Sequence, residues 1–156
     1  MNELSWTQER EELMRAMSGN RHAVHRIVDR LSKPAFTLAY KTVLNVNDAE
    51  DCVQDAFYRL WNSKSQFQGN SSLKTYFFRF VLNACFALLA KRKDSLWEDM
   101  ETYETVSSNS LENTDAVINS IDVQKALSNL TPRQRTAIVL WAYFDYSSKE
   151  IGDMMN

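Results

Sequence analysis

Three groups of residues have types and spacings suited to chemistry. The first is a set of potential metal ligands. Asp48, Asp51 and Asp55 stack at helical spacing, and His22 and His25 stand three apart. A carboxylate-bridged metal site in a helical bundle needs Glu-x-x-His pairs facing the bundle interior. No such pair occurs, and the three acids fall opposite the apolar stripe of their own segment. The histidines read as one exposed helix face. Cys52 and Cys85 lie in apolar helical patterns without Cys-x-x-Cys spacing, so they read as buried reduced thiols. With no glycine-rich phosphate loop and no nucleophile–base pairing either, the sequence points away from catalysis, and no metal or other cofactor is expected.

The second group suits nucleic acid. Thr75, Arg79, Asn83, Phe86 and Lys93 share one helical stripe. A cation meets phosphates, an amide reads a base edge, and an aromatic ring stacks on an unpaired base. Lys74 at the start of this segment and Lys91-Arg92-Lys93 at its end add charge. The preceding loop, Phe67-Gln68-Gly69-Asn70-Ser71, pairs hydrogen-bonding amides with a glycine that permits a tight turn. The third group suits a protein partner. Glu50, Gln54, Phe57, Tyr58 and Trp61 cluster on one flank beside Asp51 and Asp55. Aromatic anchors bordered by charges are how protein interfaces are built.

The elements that position these groups read as helices throughout. Only 3 Gly and 2 Pro occur in 156 residues. The periodicity predicts helices over about 7–17, 21–31, 34–44, 48–62 and 73–93, with a restart at Ser32-Lys33-Pro34 and a turn at Asn45–Asp48. Asn47 and Glu50 have capping-box spacing, and Ser72 is placed to cap the helix after the polar loop. Thr131-Pro132-Arg133-Gln134 and Ser147-Ser148-Lys149-Glu150 are further helix starts. Charge divides the chain: residues 1–93 carry a net +5, residues 94–115 a net −7 with no Lys or Arg, and residues 116–156 a net zero. The expectation is an all-α protein of two small helical domains, 1–93 and 116–156, joined by a flexible acidic linker over 94–115. No signal-peptide pattern opens the chain, and no apolar stretch reads as long enough to span a membrane, so a cytoplasmic protein without membrane insertion is expected.

With the elements in place, two spans resemble the extracytoplasmic-function group of bacterial RNA polymerase sigma factors. Asp48-Ala-Glu-Asp-Cys-Val-Gln-Asp-Ala-Phe-Tyr-Arg-Leu-Trp61 is similar to the family's polymerase-binding helix. Phe67 to Tyr76 is similar to its promoter-opening loop and helix start. Leu130-Thr-Pro-Arg-Gln-Arg135 and Ser148-Lys-Glu-Ile-Gly152 resemble the opening of its C-terminal promoter domain. The likeness implies a factor that binds core RNA polymerase, reads promoter DNA, helps to open it, and is commonly restrained by an anti-sigma factor. Glu50, Asp51, Gln54, Asp55, Phe57, Tyr58 and Trp61 would then contact polymerase. Phe67, Gln68, Gly69, Asn70, Ser71, Lys74, Tyr76, Arg79, Asn83, Phe86, Lys91, Arg92 and Lys93 would contact the opened promoter. Arg133 and Arg135, at a helix N-terminus, would contact phosphates.

The chain departs from the family pattern at Leu82, Ala84, Ala87 and Ala90, where charges are common. Fewer phosphate contacts imply weaker, less salt-sensitive DNA binding. Residues 116–156 match a helix-turn-helix only up to its first helix, so this domain is expected to lack the recognition helix and to read the upstream element weakly or not at all. A second class of reading follows: a degenerate sigma-like module that binds polymerase or an anti-sigma partner without directing transcription. Elemental analysis of the purified protein should find no stoichiometric iron, manganese or zinc. A bound metal ion at one per chain would return the stacked acids to candidacy as a metal-dependent site.

Overall fold

The computed structural model describes residues 4–63, 66–98 and 121–156. Among the described residues the only regular elements are helices: α1 (Trp6–Met17), α2 (Arg21–Val43), α3 (Val46–Asn62), α4 (Leu73–Glu98), α5 (Ile121–Ser128), α6 (Pro132–Ala142) and α7 (Ser148–Met155). Much of the expected linker, from 99 to 115, lies outside the described residues.

Local signals account for most helix starts. Ser5 and Gln8 form a reciprocal capping box on α1, Thr131 and Gln134 on α6, and Ser147 and Glu150 on α7. Asn20 Oδ1 accepts from the Ala23 N–H at 3.1 Å and starts α2, after Gly19 has turned the chain at φ +100°. Two expectations are corrected. The break at Ser32–Pro34 does not occur: α2 runs unbroken with Pro34 inside it. Pro34 lacks an N–H for the Arg30 carbonyl, but Ala35 and Leu38 immediately beyond it are fully buried, and that packing holds the helix through. The cap of α3 is Asn45 rather than Asn47. Its Oδ1 accepts from the Asp48 N–H at 3.0 Å, so the predicted turn already belongs to the helix. In addition, α4 continues to Glu98, five residues past its expected end at Lys93.

Helices α2, α3 and α4 pack on one another, and α1 lies across α2 and the start of α4. The core between them is formed by Leu13, Ile27, Leu31, Leu38, Leu60, Phe77 and Val81, each about fully buried. Such side chains stabilise by about 1.5–3 kcal/mol apiece before chain entropy is counted. Cys52 of α3 and Cys85 of α4 are buried free thiols. The hydrogen bond with Cys52, added to burial, pushes the Cys85 thiol up, which keeps it protonated and inert.

By length and composition alone, Leu73–Ser95 of α4 is apolar enough to cross a membrane, with a mean hydropathy of 1.4. This corrects the expectation that no stretch would qualify. Arg79 and Asn83 interrupt the run but do not lower its average far enough. Part of this apolar surface is used within the protein: Leu73, Phe77, Phe78, Val81, Leu82 and Cys85 are all buried, while Ala87 and Ala90 are exposed.

Two carboxylates hold α1 in place. Glu12 bonds Arg26 at 2.7 Å and Arg30 at 2.9 Å on α2. Burial pulls its pKa up, but the two guanidinium groups outweigh that and hold it below the ordinary carboxylate value. Glu9, also buried, accepts from the Leu73 N–H at 2.8 Å, satisfying an unpaired donor at the first turn of α4 from 64 residues away. The substitution Glu9→Ala strands that N–H and should cost roughly 1–3 kcal/mol in urea unfolding. Glu9→Gln keeps an acceptor and should cost less; equal losses would show that the bond contributes little.

Candidate nucleic-acid and polymerase interface

The acidic flank of α3 is set by the face it buries. Ala49, Cys52, Ala56 and Leu60 turn inward, so Glu50, Asp51, Gln54 and Tyr58 turn outward. Tyr58 is 69% exposed, the most open large apolar side chain described. Asp55 is ion-paired with Arg59 at 2.8 Å. Phe57 and Trp61 lie deeper than the sequence suggested. Phe57 packs on Phe77 of α4 at 4.5 Å between ring centres, with Trp61 stacked beside it at 6.3 Å. They form the floor of the surface, while Tyr58 and the acids form its open part. Asp48, expected on the same outer face, is instead buried at the helix start. Arg92 Nη2 donates to its Oδ1 at 2.8 Å, and Arg92 Nη1 lies 2.6 Å from its Oδ2.

The loop before α4 divides into anchors and open groups. Phe67 is 2% exposed, and its ring sits 5.0 Å from Tyr76, which in turn meets Phe80 edge-on at 5.1 Å. Phe67 is therefore a buried anchor and not a free stacking ring. Gly69 has φ +74°, and a Cβ there would stand 3.4 Å from the Trp6 carbonyl oxygen of α1. Backbone conformation and the closeness of α1 both favour glycine at this turn. Ser71 Oγ donates to the Ser72 carbonyl, and Ser72 Oγ accepts from the Thr75 N–H. Gln68 and Asn70 are left exposed at the tip.

Along α4 the expected stripe splits lengthwise. Arg79, Asn83, Lys91 and Lys93 are exposed. Arg92 is committed to Asp48, tying the far end of α4 to the start of α3. Lys74 and Phe86 lie on the side of α4 that meets the C-terminal helices. Lys74 Nζ stands 5.8 Å from the Phe144 ring centre and 6.0 Å from that of Phe78, and Phe78 meets Phe144 edge-on at 5.0 Å. Thr75 Oγ1 is hydrogen-bonded to the Tyr146 hydroxyl at 2.9 Å. The Arg133 guanidinium covers the Phe86 ring at 5.2 Å and donates to the Met155 carbonyl at 2.9 Å.

Arg135 is placed differently from the sequence expectation. Only 5% exposed, it donates to the Thr42 carbonyl at the end of α2. It also donates to the Leu127 and Leu130 carbonyls, at 3.3 and 3.2 Å, at the end of α5. Helix C-termini present unpaired carbonyls and a partial negative charge, which a guanidinium answers well. With its donors so engaged, Arg135 is a structural staple and not a phosphate contact. Thr136 beside it is hydrogen-bonded to Thr42 at 3.1 Å. Thr42, Thr136, Phe144 and Tyr146 were not singled out from sequence. Their only signal was a threonine at a core position of α6 and an aromatic run in a turn.

Among the described residues no group of three or more His, Cys, Asp or Glu could hold a metal ion. The candidate site is an open surface: an acidic aromatic flank on α3, a polar loop tip, and a basic and amide edge on α4. Residues 27–94 match Sigma-70 region 2, and residues 120–156 match Sigma-70, region 4. The chain is 27% identical to the ECF RNA polymerase sigma factor SigW of Bacillus subtilis, over 94% of this chain and 84% of that one. It is 28% identical to the ECF RNA polymerase sigma factor SigM of Mycobacterium tuberculosis, over 92% and 72%. The fold is that of the sigma factor RpoE from Bartonella quintana, solved in complex with the anti-sigma factor NepR, with a TM-score of 0.69 at 23% identity over 84% of this chain and 81% of that one. This chain belongs to the sigma-70 family, in its extracytoplasmic-function group, and its function is the group's: directing RNA polymerase to promoters.

The different placements of two arginines can be measured. Arg135→Met should destabilise the protein by roughly 1–3 kcal/mol in urea, because buried carbonyls lose their donors. Arg79→Met, at an exposed site, should stay within about 0.5 kcal/mol of the parent.

Proposed function

We propose that the exposed flank of α3 binds core RNA polymerase and that the loop tip and open edge of α4 engage the opened promoter strand. The observation that carries the polymerase assignment is Tyr58, a large aromatic ring held open on a rigid helix among Glu50, Asp51 and Gln54. An exposed ring of this size without an internal packing role is a natural interface anchor, and the surrounding acids would orient a basic partner surface. For DNA, Arg79 and Asn83 supply a cation and a base-reading amide one helical turn apart. Gln68 and Asn70 offer hydrogen bonds to a base held at the loop. Extruding a base costs a few kcal/mol, which a shaped loop must offset; Phe67 and Tyr76 would give that loop its rigidity.

In this reading 1–93 is the polymerase- and promoter-binding domain, 94–115 the connector and 116–156 a second promoter domain. The chain itself catalyses nothing and works in the cytoplasm, where polymerase is. An anti-sigma factor is the regulatory partner proposed, by likeness to a group with a member solved in such a complex. The alternative expected from the alanines along α4, a module that binds polymerase without directing transcription, gives way to the family match, and one experiment tests the outcome. In vitro transcription with core enzyme and the full-length gene product should yield promoter-specific transcripts. Tyr58→Ala should leave the circular dichroism unchanged and weaken core-enzyme binding by about tenfold, the order of a hot-spot residue. Binding without transcripts would decide for the module; undiminished core binding by Tyr58→Ala would remove the α3 flank from the assignment.

A further inference from the structure

We infer that the outer stripe of α1, Trp6 with Arg10 and Met14, is a second wall of the loop that holds an opened DNA base. Trp6 is the ring that stacks on the strand, and Arg10 is the cation that meets its phosphate. The inference rests on the promoter reading of the loop given above and deepens it. The added helix lies ahead of residues 27–94, the part of the chain that matches Sigma-70 region 2.

A single strand is held by flat rings against its bases and by cations on its phosphates. The loop tip offers only the amides of Gln68 and Asn70. The ring within the loop, Phe67, is buried and already packed on Tyr76. A free ring stands on α1 instead, where Trp6 is 52% exposed. Gly69 brings the loop onto that helix. A Cβ there would stand 3.4 Å from the Trp6 carbonyl oxygen and 3.9 Å from Arg10 Cδ, so the Gly69 backbone lies against the turn of α1 between these two residues. Trp6, Arg10 and Met14 stand four apart, which puts their side chains on one stripe of the helix. All three are exposed.

The charge on this stripe is uncommitted. The acids of α1 are each taken: Glu9 by the Leu73 N–H, Glu11 by Arg15 at 3.8 Å, and Glu12 by Arg26 and Arg30. Arg10 has no ion pair among the described residues. No acid stands among Trp6, Arg10, Met14, Gln68 and Asn70, in contrast to the acidic flank of α3. A ring, a cation and two amides suit a nucleic-acid strand better than a basic protein surface. The wall is also fixed in place. The Ser5–Gln8 capping box sets the first turn of α1, and the bond from Glu9 to Leu73 ties that helix to the start of α4. A ring held in position before binding loses little freedom when a base stacks on it.

The test uses the full chain, a fluorescein-labelled single-stranded DNA of mixed sequence, and fluorescence anisotropy over a range of salt. Trp6→Ala should weaken binding by about five- to a hundredfold, and Trp6→Phe, which keeps a ring, by much less. Both should keep the parent's dependence of log K on log salt. Arg10→Met should lower that slope by about 0.7, the share of a single phosphate contact on a single strand. Circular dichroism should be unchanged in all three, because both positions are exposed. With iododeoxyuridine in the strand, ultraviolet irradiation should crosslink the DNA to the peptide containing Trp6, as read by mass spectrometry. If Trp6→Ala and Arg10→Met bind like the parent while Arg79→Met binds more weakly, the inference falls and the promoter reading stands. Equal losses from Trp6→Ala and Trp6→Phe without a crosslink also overturn the stacking role. If the parent does not bind the strand, or none of these variants alters binding, the promoter reading and the inference fall together.

Discussion

One guanidinium holds the two halves of this protein in register. Arg135 faces the C-terminal end of α2 through the Thr42 carbonyl and that of α5 through Leu127 and Leu130. Each helix end is an incomplete hydrogen-bond array with a partial negative charge; Leu44, in the left-handed conformation, caps α2 through the Tyr40 carbonyl and leaves the Thr42 carbonyl to Arg135. A single planar donor group reaches one carbonyl of the first and two of the second at once. It sits beside the burial of Val139 and Leu140, and together these place α6 against α2. Thr136, adjacent on α6, then meets Thr42, and the turn after α6 brings Phe144 and Tyr146 down on α4.

A second constraint comes from α4. The helix is apolar over most of its circumference and must be covered on several sides. Helices α2 and α3 take Phe77 and Val81, α1 reaches its first turn through Glu9, and the C-terminal unit covers Phe78. What remains open along the first half of α4 is an edge bearing Arg79 and Asn83, and from Ala90 to Ser95 the helix is exposed. The polar surface offered to a partner is thus what is left after the apolar surface has been satisfied. The same division applies on α3, where Phe57 and Trp61 serve the core and Tyr58 does not.

Much of this was legible from the residues. Capping signals at Asn20, Thr131 and Ser147 act over three residues and need no tertiary context, so they were found where they occur. The acidic flank of α3 was legible because its apolar positions recur with a clear period. Pro34 misled because its local cost was outweighed by the burial of Ala35 and Leu38, which no local rule contains. Asn47 misled because Asn45 offers the same side chain two residues earlier, and the tertiary path of the chain selects between them. Arg135 misled for a related reason: an arginine near a helix N-terminus looks like an anion site until another helix end is placed against it.

The sequence by itself determined that the chain is helical, where most of its helices start, and the family, because these depend on spacing along the chain. Tertiary structure alone decided which members of each segment are available. It buried Phe67, paired Arg92 with Asp48, turned Arg135 into a staple, and laid Phe144 and Arg133 over Lys74 and Phe86. The physical reason is that a side chain's partners in these contacts stand tens of residues away. Periodicity states which face a residue is on, and only the packed fold states what that face meets.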